Sequence, residues 1–403
     1  MNNYVNVLEI QNKYARLLIG CILDNEVKVV YTNEVELSVP FVDGDILDVG
    51  TLTKDIAKLK YIEDKDLSFK YEVNDVILVV PPFGLEVFEA LKSTNTTSQN
   101  SKINKLDIDN AFSLIKRERL QNRGNTIVNV IPKAFYTEGN KIFLKSPIGI
   151  TSSYVSLNAN VYTLPAKMIF DLTKATKNAS IKVKQILVSS LCAVEVLNCK
   201  NYKYKDYIFI NYSEKTTVLS LINNKKVIAS AYFGNGSDSL IKKVENEFKI
   251  SNDEAYRIVR TFGYDSSDNS YNPPIIRTSS DPLTLKFNKN NLNTFTGEYY
   301  KEWCGYLASS ISTLLKDNPS YVKTIPLVFV GKGLQINGLK DYILRMFSSN
   351  TVDFIKSNVV GANYNCYINS IGAILLDDTL NSYFNEEINE NRIEVTLSKE
   401  GEK

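Results

Sequence analysis

Residues 207–232 of this 403-residue chain read YIFINYSEKTTVLSLINNKKVIASAY. The apolar residues fall into three short runs, at 207–211, 217–222 and 226–232. Polar residues separate the runs, and the second break, at 223–225, is Asn-Asn-Lys, which is typical of a tight turn. The pattern therefore predicts a β-meander, that is, three consecutive antiparallel strands.

The same pattern also begins the chain. Residues 4–10, 15–23 and 27–36 are three apolar or alternating runs with short polar breaks between them. In both places the meander is followed by helical patterns and by another buried strand, at 76–80 and at 326–330. In the second half the pattern predicts a long helix over 299–315. Two meanders in the same context predict an internal duplication and an α/β fold.

Residues 81–165 differ in texture from the two repeats. They contain several further strand patterns and one helix, which predicts a compact insert in the first half. The expected organisation is a first half at 1–80 and 166–202, an insert at 81–165, a second half at 203–235 and 305–385, an outer segment at 236–304, and a polar tail at 386–403.

The composition excludes several classes of function. The chain has no histidine, so Ser-His-Asp and Cys-His hydrolases and histidine-bound zinc sites are ruled out. Five cysteines without Cys-x-x-Cys spacing are typical of reduced thiols in a cytoplasmic protein. No signal peptide and no apolar run of roughly 18 residues is visible. The net charge of +2 gives no general attraction to nucleic acid, so no nucleic-acid partner is expected.

A second informative stretch reads IVNVIPKAFYTEGNK at residues 127–141 and SPIGI at residues 146–150. This order of strand, proline, glycine turn, strand and proline-x-glycine resembles subdomain 1C of the FtsA family of actin-like bacterial division proteins. Segments at 186–194, 233–238 and 328–339 also resemble the family, in the family's order. The resemblance implies an actin-like fold of two ribonuclease-H-like halves, 1A and 2A, with an FtsA-type 1C insert and an outer subdomain 2B.

Actin-like proteins hold the nucleotide phosphates between two hairpin turns. Glycine amides approach the oxygens closely there, and an acid near each turn organises Mg²⁺ and water. Residues 9–13 map onto the first turn, where the family usually shows Asp-x-Gly-Thr. The acid is kept as Glu9, whereas Gln11 replaces the glycine and Asn12 replaces the hydroxyl residue.

Residues 211–217 map onto the second turn, where the family usually shows Asp-x-Gly-Gly-Gly-Thr-Thr. Asn211 replaces the acid, the glycines are absent, and Glu214 brings a negative charge where a phosphate would lie. By resemblance, the nucleotide-binding residues are Glu9, Asn12, Lys13, Asn211, Thr216, Thr217, Gly234, Gly236, Gly331 and Gly333.

Two interpretations of these turns stay open. In the first, ATP and Mg²⁺ still bind, and Lys13 or Lys215 supplies positive charge. In the second, the turns are ordinary hairpins of a retained fold, and the loss of phosphate donors, each worth roughly 1 kcal/mol or more, weakens ATP binding by orders of magnitude. Because the second acid is absent, we expect no catalytic residues and no enzyme activity. Neither the acidic loop at 43–48 nor any other site is expected to hold a structural metal.

The resemblance implies a cytoplasmic division adaptor. The abundance of Asn, Lys, Ile and Tyr separately suggests a source with an AT-rich genome, such as a mollicute. Its expected partners are the C-terminal peptide of FtsZ, bound through subdomain 2B, and further copies of itself in filaments or dimers. Family members typically end in a basic amphipathic helix that binds membranes. Residues 386–403 instead carry six acidic and three basic side chains. Two interpretations follow: a separate anchoring protein recruits the chain to the division site, or the chain is not an anchor. Two alternatives are a PilM-like pilus scaffold that binds a partner peptide, and an active ATPase or sugar kinase of the superfamily.

Overall fold

A computed structural model describes residues 4–24, 26–40, 44–64, 69–118, 120–265, 272, 274–276, 287–316, 319–355, 359, 362 and 365–385. The chain divides into two compact units. Unit 1 comprises Met1–Val39, Gly44–Cys199 and Asn369–Lys403, and unit 2 comprises Pro40–Asp43 and Lys200–Ile368.

The first part of unit 1 alternates between strands and helices. In chain order these are β1 (Val5–Ile10), β2 (Tyr14–Leu23), β3 (Glu26–Glu36), α1 (Val49–Ala57), β4 (Tyr61–Asp64), β5 (Phe69–Glu72), β6 (Asp75–Val80), β7 (Glu86–Asn95), α2 (Lys105–Lys116), β8 (Asn125–Thr137), β9 (Lys141–Phe143), β10 (Tyr154–Pro165), α3 (Ala166–Asn178), β11 (Lys182–Val188) and α4 (Ser189–Cys199).

Unit 2 follows, and the last helix returns to unit 1. The elements are β12 (Tyr207–Tyr212), β13 (Thr217–Asn223), β14 (Lys226–Phe233), α5 (Ser237–Phe248), α6 (Asn252–Thr261), β15 (Pro274–Ile276), β16 (Phe287–Asn288), α7 (Lys289–Leu314), β17 (Leu327–Val330), α8 (Leu339–Met346), β18 (Val352–Phe354) and α9 (Ile368–Asn385).

The two units contain the same five-stranded sheet. Unit 1 has the strand order β11-β6-β1-β2-β3, and unit 2 has the order β14-β13-β12-β17-β18. In each sheet the meander strands are antiparallel, and the two later strands run parallel to the first meander strand. The central strands are apolar along their length because both sheet faces are covered. The predicted duplication is therefore confirmed by topology.

A separate four-stranded sheet lies between β6 and α3 in sequence, with the order β7-β10-β8-β9. Helix α2 packs on one face of this sheet, and its buried residues Ile108, Phe112 and Ile115 share a core with Phe135 and Leu157. An asparagine side chain joins this insert sheet to the main sheet of unit 1. Asn129 Nδ2 donates to the Ile186 carbonyl at 2.8 Å, and its Oδ1 accepts from the Val188 amide at 3.2 Å.

One predicted boundary is wrong. The sequence pattern predicts 305–385 as part of the second half, whereas α9 from Asn369 onward belongs to unit 1. The physical reason is that α9 packs closely on α4: a Cβ on Gly372 would lie 1.8 Å from the Cys192 carbonyl oxygen. The predicted polar tail at 386–403 and parts of the outer segment at 236–304 lie outside the described residues.

The acidic loop before α1 has a structural role at two positions. Asp48 caps α1 by accepting hydrogen bonds from the amides of Gly50 and Thr51. Asp45 forms an ion pair with Lys167 at 3.0 Å. None of the described helices has both the length and the apolar character needed to cross a membrane.

Candidate functional site

The first turn lies at the end of β1, and its acid is fully engaged within unit 1. Glu9 is 0% exposed, and its carboxylate accepts hydrogen bonds from Asn369 Nδ2 at 2.7 Å and Ser370 Oγ at 2.8 Å. Gln11 Nε2 also donates to this carboxylate. A buried carboxylate needs such donors because desolvation of an unpaired charge is costly. The chain's own side chains therefore satisfy Glu9 without a ligand.

The neighbouring residues of the first turn are directed to other contacts. Asn12 is buried, and its Oδ1 has no hydrogen-bond partner among the described residues. Lys13 lies 3.6 Å from the Glu36 carboxylate, and its ammonium is 5.4 Å from the centre of the Tyr14 ring. Both contacts bring the Lys13 charge toward groups of its own chain.

The second turn, between β12 and β13, is closed by its own hydroxyl groups. The Ser213 amide donates to the Thr216 carbonyl at 3.0 Å, and the Ser213 and Thr216 hydroxyls lie 3.3 Å apart. Thr217 is fully buried. Its hydroxyl donates to the Asn235 carbonyl at 2.7 Å and accepts from Trp303 Nε1 at 2.9 Å. Thr217 thus anchors the turn to α7 and has no free hydroxyl proton for a phosphate.

The glycines near this turn allow backbone segments to approach each other closely. Gly331 has φ +111°, and a Cβ there would lie 2.2 Å from the Tyr212 carbonyl oxygen. A Cβ on Gly333 would lie 2.5 Å from the Tyr212 ring, and one on Gly236 would lie 2.4 Å from the Glu214 carbonyl group. A Cβ on Gly234 would meet no other group within 4 Å. Packing within unit 2 therefore accounts for three of the four glycines.

Two ion pairs complete the second turn. Glu214 is 7% exposed, and its carboxylate lies 3.2 Å from the ammonium of Lys332, in the loop that follows β17. The Lys215 ammonium lies 3.5 Å from Asp238 in the first turn of α5. Lys215, considered from sequence as a source of charge for ATP, thus faces a carboxylate of its own chain.

Burial makes the tyrosines behind the second turn still harder to ionise. It raises the pKa of Tyr212 well above its usual value, and the nearby Tyr299 and Tyr300 add to the effect. Burial likewise raises the pKa of Tyr299, whose hydroxyl donates to the Gly236 carbonyl at 2.7 Å. These phenols therefore stay neutral near pH 7 and support the turn by hydrogen bonding and packing.

The structure gathers Asn211, Thr216, Thr217, Gly236, Gly331 and Gly333 in unit 2, and Glu9, Asn12 and Lys13 in the first turn of unit 1. Sequence reasoning missed Asn369 and Ser370 as partners of Glu9, and Trp303 as a partner of Thr217. The signal available for the first pair is an Asn-Ser step at the start of an apolar helix, which is typical of a helix N-terminus but does not name its partner. Nucleotide binding by these residues stays a prediction.

The residues present do not fit the phosphates and Mg²⁺ of a nucleotide. The acid of the first turn accepts hydrogen bonds from Asn369 and Ser370, and the second turn presents the Glu214 carboxylate, which is paired with Lys332 from the loop after β17. Across the part of the chain that the structure describes, no group of three or more Asp, Glu, Cys or His side chains could hold a metal ion.

The sequence of the chain is similar to that of two curated cell division proteins. No protein-family model matches the chain. The cell division protein FtsA of Bacillus subtilis (strain 168) is 18% identical over 383 residues, covering 93% of this chain and 84% of FtsA. FtsA of Streptococcus pneumoniae serotype 2 (strain D39) is 20% identical over 257 residues; the match spans 64% of this chain and about half, 55%, of that protein.

Solved structures give the same answer at the level of the fold. The PilM-PilN type IV pilus biogenesis complex matches with a TM-score of 0.54 and 11% identity, covering 94% of this chain and 98% of the matched chain. MreB5 of Spiroplasma citri bound to AMPPNP matches with a TM-score of 0.53 and 10% identity, covering 94% and 97%. The MamK double helical filament matches with a TM-score of 0.51 and 11% identity, covering 94% and 99%. The chain therefore has the actin-like ATPase fold, as its sequence predicts, and it is similar in sequence to FtsA at 18–20% identity.

Proposed function

We propose that this chain is a non-catalytic cell-division adaptor of the FtsA type. The observation that carries the proposal is the similarity to Bacillus subtilis FtsA over 93% of the chain. A match of that extent is not confined to one common element. The separate sheet between β6 and α3 lies where the resemblance expects subdomain 1C.

The state of the two turns supports the non-catalytic part of the proposal. The fold itself can hold a nucleotide, since MreB5 of Spiroplasma citri has been solved with AMPPNP. In this chain the Glu9 carboxylate is hydrogen-bonded by Asn369 and Ser370, and Asn211 stands where an acid would be needed. In the actin-like scheme an acid near each turn organises Mg²⁺ and the attacking water, and neither turn here offers an uncommitted carboxylate for that role. We therefore propose weak or absent ATP binding and no turnover.

The partners follow from the family. We propose that the chain binds the C-terminal peptide of FtsZ through residues 236–304 and that it self-associates, as the MamK filament shows the fold can do. Recruitment to the inner face of the membrane at the division site would depend on a separate anchoring protein.

Calorimetry tests the adaptor proposal. The purified chain is titrated first with ATP and Mg²⁺, and then with a peptide of the FtsZ C-terminus from the same organism. We expect saturable heat from the peptide and none from ATP. Tight ATP binding without peptide binding would instead indicate an active ATPase. No heat from either ligand would favour a peptide-binding scaffold similar to PilM.

A groove in unit 1 favours a second candidate, a peptide-binding scaffold similar to PilM. The groove has a volume of about 490 Å³ and lies between α3 and Thr126 at the start of β8. Phe170 is 63% exposed at its wall, and the buried hydroxyl of Thr173 has no partner among the described residues. Within the described part of the chain, no carboxylate lies at ion-pair distance from Lys174 or Lys177. An acidic segment with one large apolar side chain would complement this groove.

Co-expression tests the scaffold function. A PilN homologue from the same genome is expected to co-purify with the wild-type chain and to be lost from the Lys174→Glu/Lys177→Glu variant. Lys105→Glu/Lys116→Glu, at two exposed positions of α2 that do not line the groove, serves as the charge-matched control. Equal retention by all three proteins would exclude the groove as the binding surface.

A further inference from the structure

The Glu214–Lys332 ion pair joins two loops that are distant in sequence. Glu214 lies in the turn between β12 and β13, and Lys332 lies in the loop after β17. The side chains are 9% and 29% exposed, and the Oε1–Nζ distance is 3.2 Å. A pair that is largely removed from water is screened little by salt, and breaking it leaves a charge in a poorly solvated place.

Backbone groups around the pair are engaged within unit 2. The first amides of α5, at Ser237 and Asp238, donate to the carbonyls of Ser213 and Glu214 at 3.0 and 2.8 Å. These are the helix N-terminal donors that would otherwise attract an anion. The loop around Lys332 is pressed against Tyr212 by Gly331 and Gly333. The Lys332 charge is therefore held at a fixed position beside the turn.

We propose that the Glu214 carboxylate is a built-in anion that takes the place of a ligand phosphate in unit 2. It compensates Lys332 and ties the β12–β13 turn to the loop after β17 in the absence of any nucleotide. Removal of the Glu214 charge takes this carboxylate away from Lys332 and converts the turn into a binding site for phosphate-type anions. This inference concerns unit 2 alone and holds whether or not FtsZ is a partner.

The test compares thermal unfolding of the full chain and its variants with and without millimolar inorganic phosphate. We expect the Tm of the wild type to be insensitive to phosphate and to ATP. Glu214→Gln should unfold at a lower Tm than the wild type and regain about 2–4 °C when phosphate is added. Glu214→Gln/Lys332→Met, which lacks both charges, should not respond to phosphate.

Asp238→Asn provides the matched control, because Asp238 pairs with Lys215 at 3.5 Å next to the same turn. It should remain insensitive to phosphate, since the Glu214–Lys332 pair is intact. Stabilisation of the wild type by phosphate or ATP, or no response of Glu214→Gln, would overturn the proposal.

If Glu214→Gln does not fold, the charge-swapped variant Glu214→Lys/Lys332→Glu decides. It should fold, keep a Tm near that of the wild type and ignore phosphate, because the ion pair is restored in reverse. A swapped chain that is unfolded or that binds phosphate would count against the pair as the organising contact. Titration of the same variants with the FtsZ peptide separates this result from the adaptor function.

Discussion

At the scale of single residues, Glu9 has the longest-range contacts of the site. Its donors Asn369 and Ser370 lie 360 and 361 positions further along the chain. The position of Glu9 at the end of a strand could be predicted, because alternation and a following polar turn locate that end. Its donors could not be predicted, because spacing in sequence carries no information on which helix start returns to which strand.

Ser370→Ala should destabilise the protein by about 1.5–3 kcal/mol, because a buried carboxylate oxygen loses a charged hydrogen bond. Urea unfolding followed by circular dichroism measures the change. Ser309→Ala on the exposed face of α7 is the control and should stay within about 0.5 kcal/mol of the wild type. Equal values for the two variants would show that the Ser370–Glu9 hydrogen bond contributes nothing measurable to stability.

Cys199 gives a pH-dependent prediction. The residue as a whole is exposed. Partial burial of its thiol raises the pKa to about 11, and the negative charges of Glu195 and Asp378 add to the effect. Because only the thiolate reacts, alkylation by iodoacetamide should accelerate about tenfold per pH unit between pH 7 and 10. Peptide mass spectrometry measures the rate.

The Glu195→Gln variant tests the electrostatic cause of this shift. Removal of the negative charge lowers the pKa of Cys199, so the variant should react faster than the wild type at the same pH. Buried Cys192 and Cys304 should stay unlabelled in both folded proteins and serve as internal controls. A rate that is flat with pH would contradict the raised pKa.

At the scale of elements, helix ends were harder to predict than helix positions. The sequence pattern predicts the long helix of unit 2 only from Tyr299, whereas α7 begins at Lys289. Its first ten residues are rich in Asn, Thr and Gly, which have low helix propensity. A capping box between Asn288 and Asn291 and the burial of Leu292 and Thr296 outweigh that propensity.

The space around two helical glycines predicts opposite effects of their substitution by alanine. Gly372→Ala should destabilise by at least 1–3 kcal/mol, because its Cβ would meet the Cys192 carbonyl oxygen at 1.8 Å. Gly305→Ala on α7 has nothing within 4 Å of its Cβ and should stabilise by about 0.5–1 kcal/mol. Thermal unfolding of both variants checks the two signs, and a stabilising Gly372→Ala would place α9 away from α4.

At the scale of the whole molecule, the fold could be predicted although identity to the compared proteins is low. Two meanders followed by parallel strands specify a sheet order that few folds share, and apolar patterning preserves it when individual residues change. The assignment of α9 to unit 1 could not be predicted, because the chain returns to an earlier core and its local pattern does not show this.

Self-association provides the prediction at this scale. If both turns are held by internal contacts, assembly should not depend on nucleotide. The sedimented fraction of the wild-type chain at a given concentration should therefore be the same with ATP, with ADP and without nucleotide. Ultracentrifugal pelleting measures it, with bovine albumin as a non-assembling control. Assembly that requires ATP would show that a nucleotide still organises the molecule.

The hydrogen bonds of the Asn129 side chain to β11 also protect the chain against aggregation. β11 is the outermost strand of its sheet, and an exposed strand edge is a template on which another chain can add a strand. The Asn129 amide occupies both the Ile186 carbonyl and the Val188 amide on that edge. The insert therefore blocks part of this edge from pairing with a strand of another chain. Its detachment from β11 would expose unpaired backbone groups to such pairing and would also lower stability.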